Sequence, residues 1–127
     1  MREWRGQRPL PRKIPGLDSP PYLPPVITSH SSPQALFLAR HLAEQGAVMY
    51  GGYGCSHCWK QKQMLGREAM ELLSYVECSK DGANSQRDFC KEDKGIKRFP
   101  TWEIGGKMYE GEKTVEQLAK IARFQLE

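Results

Sequence analysis

Apolar positions along the chain fall into short blocks with two different spacings, and the blocks alternate. In residues 31–47, SSPQALFLARHLAEQGA, the residues Leu36, Ala39, Leu42 and Ala43 recur at three- and four-residue intervals, which places them on one face of a helix. Ser31 or Ser32 can cap that helix, Pro33 suits its first turn and Gly46 stops it. AVMYGG, residues 47–52, is instead a short apolar run closed by glycines, the pattern of a buried strand. From Cys55 the period is helical again, with Cys58, Leu65, Ala69 and Leu72 on one side and Lys60, Lys62 and Arg67 largely off it. LSYVEC predicts a second strand, GANSQRDFCKEDKG a loop leading into a short helix, and RFPTWEIGGKMYEG two strands joined by a Gly105-Gly106 turn. A closing helix runs from about Thr114 to Arg123, with Val115, Leu118, Ile121 and Ala122 inward. The order is helix, strand, helix, strand, helix, strand, strand, helix, without an internal repeat: an α/β chain.

At 127 residues the chain has room for one core. Seven of the nine prolines lie in residues 1–25, a stretch too poor in apolar residues to build a core of its own. Residues 1–28 therefore read as a basic, flexible leader or linker, and residues 29–127 as the folded domain. The longest apolar runs are a few residues, far from the ~20 that cross a bilayer, so no membrane span is expected. The basic start, MREWRGQRPLPRKIPG, leads into prolines instead of an apolar stretch, so no secretory signal is read there. Charge changes little. The net +4 comes mostly from the first 25 residues, with five basic and two acidic side chains; beyond them 14 basic residues face 13 acidic ones. A solvated tail explains this better than nucleic-acid binding, which is not expected.

The candidate chemistry sits in YGGYGCSHCWKQKQ, residues 50–63. Cys55 and Cys58 are three positions apart at the start of a helix. An active dithiol needs one sulfur ionised near neutral pH and accessible. Backbone N–H groups and the helix dipole favour an anion at Cys55, and protonated His57 would add a positive charge beside it. Cys58, one turn on and facing inward, would stay neutral and attack a mixed disulfide as the resolving thiol. Lys60 and Lys62 add a screened positive field. The competing reading is half of a zinc site. A structural zinc needs four ligands, commonly a second Cys-x-x-Cys or a His-x-x-x-His pair, and neither spacing occurs among Cys78, Cys90, His30, His41 and His57. The redox reading is preferred, a thiol–disulfide oxidoreductase that forms or isomerises disulfides in partner proteins, with no metal and no bound cofactor beyond a redox-active Cys55–Cys58 disulfide. Cys78 and Cys90 leave three options: a structural disulfide closing the loop between them, two reduced buried thiols, or a pair exchanging electrons with the first. Trp102 reads as core, and Trp59 as core or a rim of the substrate surface.

With these elements in line, the chain resembles the thioredoxin superfamily, whose fold is a central mixed sheet of about four strands flanked by helices. The likeness is carried by Cys-x-x-Cys after the first core strand and by Phe99-Pro100 opening a strand 42 positions beyond Cys58. The resemblance implies a cis peptide at Pro100 and substrate backbone docking at Phe99-Pro100. More narrowly, SSPQALFLARHL, MYGGYGCSHCWKQKQMLGREA, YVEC and FPTWEIGGKMYEG are similar to the thioredoxin-like domain fused to vitamin K epoxide reductase homologues of cyanobacteria, algae and plants. That resemblance covers roughly residues 31–124. It implies oxidation of cysteine-containing client proteins and electron transfer to a quinone-reducing membrane partner. It also implies an oxidising compartment such as the chloroplast thylakoid lumen, and a structural Cys78–Cys90 disulfide. A monomer is expected. Alternatives are a non-catalytic client-binding module of the same fold and a cytosolic disulfide reductase. Three departures stand out: the membrane domain is absent, Gly54 replaces the aromatic that usually precedes the first cysteine, and AVMYGG lacks the buried acid many thioredoxins keep beneath the pair.

Overall fold

The computed structural model describes residues 11–16 and 20–126. A two-stranded antiparallel hairpin, β1 (Arg12–Lys13) with β2 (Tyr22–Leu23), leads the described chain. It is followed by α1 (Pro33–Glu44), β3 (Val48–Gly51), α2 (Ser56–Leu65), α3 (Arg67–Leu72) and β4 (Ser74–Glu77). A five-residue π-helical turn, Phe89–Asp93, precedes β5 (Thr101–Ile104), β6 (Lys107–Glu110) and α4 (Val115–Ala122). The main sheet has the order β4-β3-β5-β6. β3 and β4 are parallel, with Gly51 opposite Glu77, while β3–β5 and β5–β6 are antiparallel, with Met49 opposite Trp102.

The continuous apolar character of β3 follows from its position, because a central strand is covered on both faces. Met49 and Trp102, both fully buried, join α1, α3 and α4 through Leu38, Leu42, Ala69 and Leu118. On the opposite face Tyr50 packs with Cys78, Cys90, Val76 and Ile96. The hydroxyl of Tyr50 donates to Glu103 at 2.7 Å, and Lys94 approaches the other Glu103 oxygen at 3.2 Å.

Several elements differ from the sequence expectation. The buried face of α1 is Ala35, Leu38, Ala39 and Leu42, while Leu36 is only half-buried and Ala43 is exposed. Three apolar residues in a row, Leu36-Phe37-Leu38, allow two phases for the stripe, and packing against α3 and α4 selects one. The helix expected from Cys55 is two helices. Gly66 breaks it at φ +93°, and a Cβ there would lie 2.5 Å from the backbone N of Ser31. The incoming segment replaces the lost helical bonds: Arg67 N–H donates to the Ser29 carbonyl at 3.0 Å, Ala69 N–H to Ser31 Oγ at 2.8 Å, and Ser31 N–H to Glu68 Oε1 at 2.8 Å. Thus Ser32 caps α1 through Ala35 N–H at 3.0 Å, while Ser31 caps α3 from outside. Leu72 ends exposed, and the short helix expected after residue 82 is the π turn.

Of the segment read as a leader, residues 1–10 and 17–19 lie outside the described residues. Residues 20–28 are tied to the body. Tyr22 N–H donates to Asp81, Ala83 N–H donates to Tyr22, and Thr28 N–H donates to Gln63. Proline-rich backbone cannot form helix, yet it retains carbonyls and a few N–H groups that pair along an edge of the body.

Candidate functional site

Cys55 is the N-cap of α2 at the carboxyl end of β3, and its extended backbone (φ −90°, ψ 119°) turns the chain into the helix. Its Sγ accepts the Cys58 backbone N–H at 3.3 Å, in the place where a serine or aspartate cap would act. Both thiols are free in this structure. Cys55 is half-exposed and Cys58 is 1% exposed, so only the first can meet a partner in solution.

The two sulfurs divide the acid–base character between them. Cys55 is lowered to about 6: the Cys58 thiol hydrogen bond acts most, burial opposes it, and the backbone N–H groups of Cys58 and His57 add to the lowering. The His57 ring contributes least. It is largely exposed, with Nδ1 3.0 Å from Glu112 Oε1. Cys58 is pushed far up by its bond to Cys55 and by burial. The site thus pairs an exposed thiolate with a buried thiol.

Phe99-Pro100 faces this pair. The peptide is cis. The Phe99 carbonyl lies 3.6 Å from Cys55 Sγ and can accept from it only while the thiol is protonated, and Pro100 is buried beneath. Gly52 keeps the gap narrow, since a Cβ there would lie 2.3 Å from Ser79 Oγ and 3.3 Å from the Phe99 ring. Gly54, half-buried, precedes Cys55 without a side chain. Cys78 and Cys90 are disulfide-bonded with Cα atoms 5.8 Å apart, pinning the 79–89 loop to the sheet face behind Phe99. Trp59 lies half-buried on the rim, its indole N–H reaching the Val26 carbonyl at 3.4 Å. Among the described residues no group of three or more His, Cys, Asp and Glu is arranged to hold a metal ion.

Sequence reasoning missed two buried polar groups that carry the site. Gln61, fully buried, donates to the Lys113 carbonyl at 2.9 Å and accepts from Lys113 N–H at 2.7 Å and the Trp102 indole at 3.1 Å. It fixes α2 to β5 and to the turn before α4. The second group is Lys62, Tyr75 and Glu77. Lys62 is 7% exposed, contrary to its expected outward placement, with Nζ 3.5 Å from the Tyr75 ring centroid. Tyr75 donates to Glu77 Oε1 at 2.9 Å, and Glu77 Oε2 accepts the N–H groups of Tyr53 and Ser79 at 3.0 and 3.1 Å. A Cβ on Gly51 would lie 2.9 Å from Cys58 Sγ and 3.0 Å from Tyr75 Cε1, so thiol and ring meet over that bare Cα. The usable signal was the helical phase set by Cys58, since positions 58, 61, 62 and 65 share a face.

No protein-family model matches the chain. It is 43% identical over 122 residues to the thiol-disulfide oxidoreductase LTO1 of Arabidopsis thaliana, an alignment covering 94% of this chain and 32% of that protein. The fold is thioredoxin-like. The chain spans about a third of the length of that relative, and the aligned part takes in nearly every element described above.

Proposed function

We propose that this chain is a thiol–disulfide oxidoreductase module that oxidises paired cysteines of client proteins through Cys55 and Cys58. The carrying observation is the asymmetry of that pair: a half-exposed sulfur lowered to about 6 at a helix N-cap, backed by a buried thiol. A thiolate at Cys55 stabilises the reduced form and so makes the disulfide form the stronger oxidant. A client thiolate attacks Cys55 Sγ, Cys58 leaves, and a second client thiolate then releases Cys55. Phe99-Pro100 presents the docking backbone beside the attacked sulfur, and His57 is a minor electrostatic aid. Cys78–Cys90 is a structural clamp on the wall behind it.

The electrons need an acceptor. In this reading a quinone-reducing membrane partner receives them from the reduced pair; no helix among the described residues is long and apolar enough to cross a membrane. The second disulfide supports an oxidising compartment, for which the thylakoid lumen is the reading. The similarity to a plant thiol-disulfide oxidoreductase supports the disulfide redox role.

The test is the reduction potential of the Cys55–Cys58 couple. A catalytic oxidant lies well above about −300 mV, and a permanently bridged, purely structural pair lies below it. Cys58→Ser should accumulate clients on Cys55 as mixed disulfides under oxidising conditions. A low potential with no trapped species would leave only the binding-module reading.

A further inference from the structure

Phe99 touches two places at once. Its carbonyl lies 3.6 Å from Cys55 Sγ, and the residue packs both against the core cluster that includes Cys55 and against the Tyr50, Cys78 and Cys90 cluster on the opposite face of the sheet. There it lines a pocket of about 500 Å³ together with the Cys78–Cys90 disulfide, Ile96 and three cations, Arg87, Lys91 and Lys97. We propose that this pocket selects clients carrying a glutamate or aspartate within a few residues of the cysteine that Cys55 oxidises. The proposal rests on the redox reading of Cys55 and Cys58 and names the class of substrate that pair meets.

Reach follows from the shared residue. An extended chain advances ~3.3 Å per residue, with side chains alternating between its two sides. A client strand whose cysteine meets Cys55 therefore brings side chains two to four positions away past Phe99 and over the pocket.

Charge decides which side chains those are. No acidic residue is among those lining the pocket. Other cations of the same segment are already engaged: Lys94 lies 3.2 Å from Glu103 and Arg98 3.8 Å from Glu110. Arg87 is 3.9 Å from Asp88, a pair open to water on both sides and so of little strength. Neither Lys91 nor Lys97 has an ion-pair partner among the described residues, and both are exposed. The chain beyond residue 25 holds 14 basic residues against 13 acidic ones, so three cations on one pocket are a local concentration and not general basicity.

The backbone that carries the three cations is fixed before any client arrives. Gln86 N–H donates to the Glu77 carbonyl at 2.7 Å, Cys90 N–H to Gln86 at 2.9 Å, and Ile96 N–H to Cys90 at 2.8 Å, while the disulfide ties Cys90 to the end of β4. A glutamate entering this frame lays its methylenes on Ile96 and the disulfide and its carboxylate among the cations. Complementary charge of this kind sets partner choice and association rate.

The test uses the oxidised full chain and reduced peptides with one cysteine pair, identical except for Glu, Gln or Lys three positions from the first cysteine. Peptide oxidation is followed in a single turnover at low salt as a second-order rate. An exposed ion pair contributes a factor of about 1.5–5. The Glu-to-Gln rate ratio of the parent, divided by that of Lys91→Gln with Lys97→Gln, should therefore be about fivefold, and this quotient cancels any effect of the glutamate on its own peptide's thiol. Lys91→Glu with Lys97→Glu should make the Lys peptide the fastest. Lys107→Gln with Lys120→Gln removes the same charge from exposed positions elsewhere and should keep the parent preference. All these substitutions are at exposed sites, and an unchanged rate with the Gln peptide confirms that the variants are folded. A Glu-to-Gln ratio equal in the parent and the Lys91, Lys97 variant overturns the proposal, as does an equal fall in the Lys107, Lys120 variant, which would mean net charge alone. Failure of the redox reading looks different: the parent oxidises none of the three peptides, and the substrate class falls with it.

Discussion

The Cys55 thiolate is attributed chiefly to one hydrogen bond, and that attribution can be measured. Cys58→Ala removes the thiol donor and leaves the backbone N–H groups of Cys58 and His57 in place. A hydrogen bond to a charged group contributes about 1.5–3 kcal/mol, and about 1.4 kcal/mol corresponds to one pKa unit. Because Cys55 is half-exposed, solvent can replace part of the bond, which puts the effect near the lower bound. Cys55 should therefore move from about 6 to about 7–8. At pH 7 the thiolate fraction then falls from roughly nine in ten to between about one in ten and one in two. Cys58→Ser keeps a donor at the same position and should recover much of the difference. The assay is the pH dependence of iodoacetamide alkylation, read as a midpoint because the reactivity of each thiolate changes with its basicity. His57→Ala should shift the midpoint less than Cys58→Ala, since the His57 ring acts least on the sulfur and is turned towards Glu112. An unchanged midpoint in Cys58→Ala, or a larger shift in His57→Ala, would refute the reasoning.

Further outcomes follow from the same geometry. The melting temperature of the reduced chain minus that of the oxidised chain should rise between about pH 6 and pH 9. A thiol with a depressed folded pKa contributes stability that is complete above its unfolded value near 9 and lost as pH falls through 6, and only the reduced chain has that thiol. Cys78→Ala with Cys90→Ala opens a loop of sequence separation 12 and should cost about 3 kcal/mol in denaturant unfolding. Gln61→Leu strands the Trp102 indole and both Lys113 backbone groups, at roughly 3 kcal/mol by the same measurement. Gly66→Ala forces a Cβ into Ser31 at positive φ and should cost at least about 2 kcal/mol, with the loss concentrated in amide exchange of α3.

What could be read from the sequence was whatever a single element encodes. The place of Cys55 at a helix start, the closing helix beginning at Thr114, and the Gly105-Gly106 turn are local, and the structure has each of them. Strand β3 follows from a run whose apolar character is unbroken, and β5 and β6 follow from the glycine turn between them. The missed features need a partner distant in the chain. Nothing in QKQMLGREA marks Gly66 as a break until residues 29–31 arrive to take its hydrogen bonds. Likewise Leu36 and Ala35 are equivalent choices until α3 and α4 are in place.

The clearest such case concerns the acid beneath the dithiol. Its absence from AVMYGG was legible, but absence from one strand says nothing about the space beneath Cys58, which is shared by adjacent strands. The parallel register sets Gly51 opposite Glu77, and Gly51, lacking a side chain, leaves room that Tyr75 and Cys58 both enter. A buried carboxylate is therefore supplied from β4, one strand over, bonded to the Tyr75 hydroxyl whose ring Lys62 overlies. A larger residue at position 51 would close that space, so Gly51→Ala should slow Cys58 more than Cys55 while leaving the N-cap bond to Cys55 intact. Comparable slowing of both sulfurs would mean that the bare Cα serves the strand and not the packing of the Cys58 thiol against Tyr75.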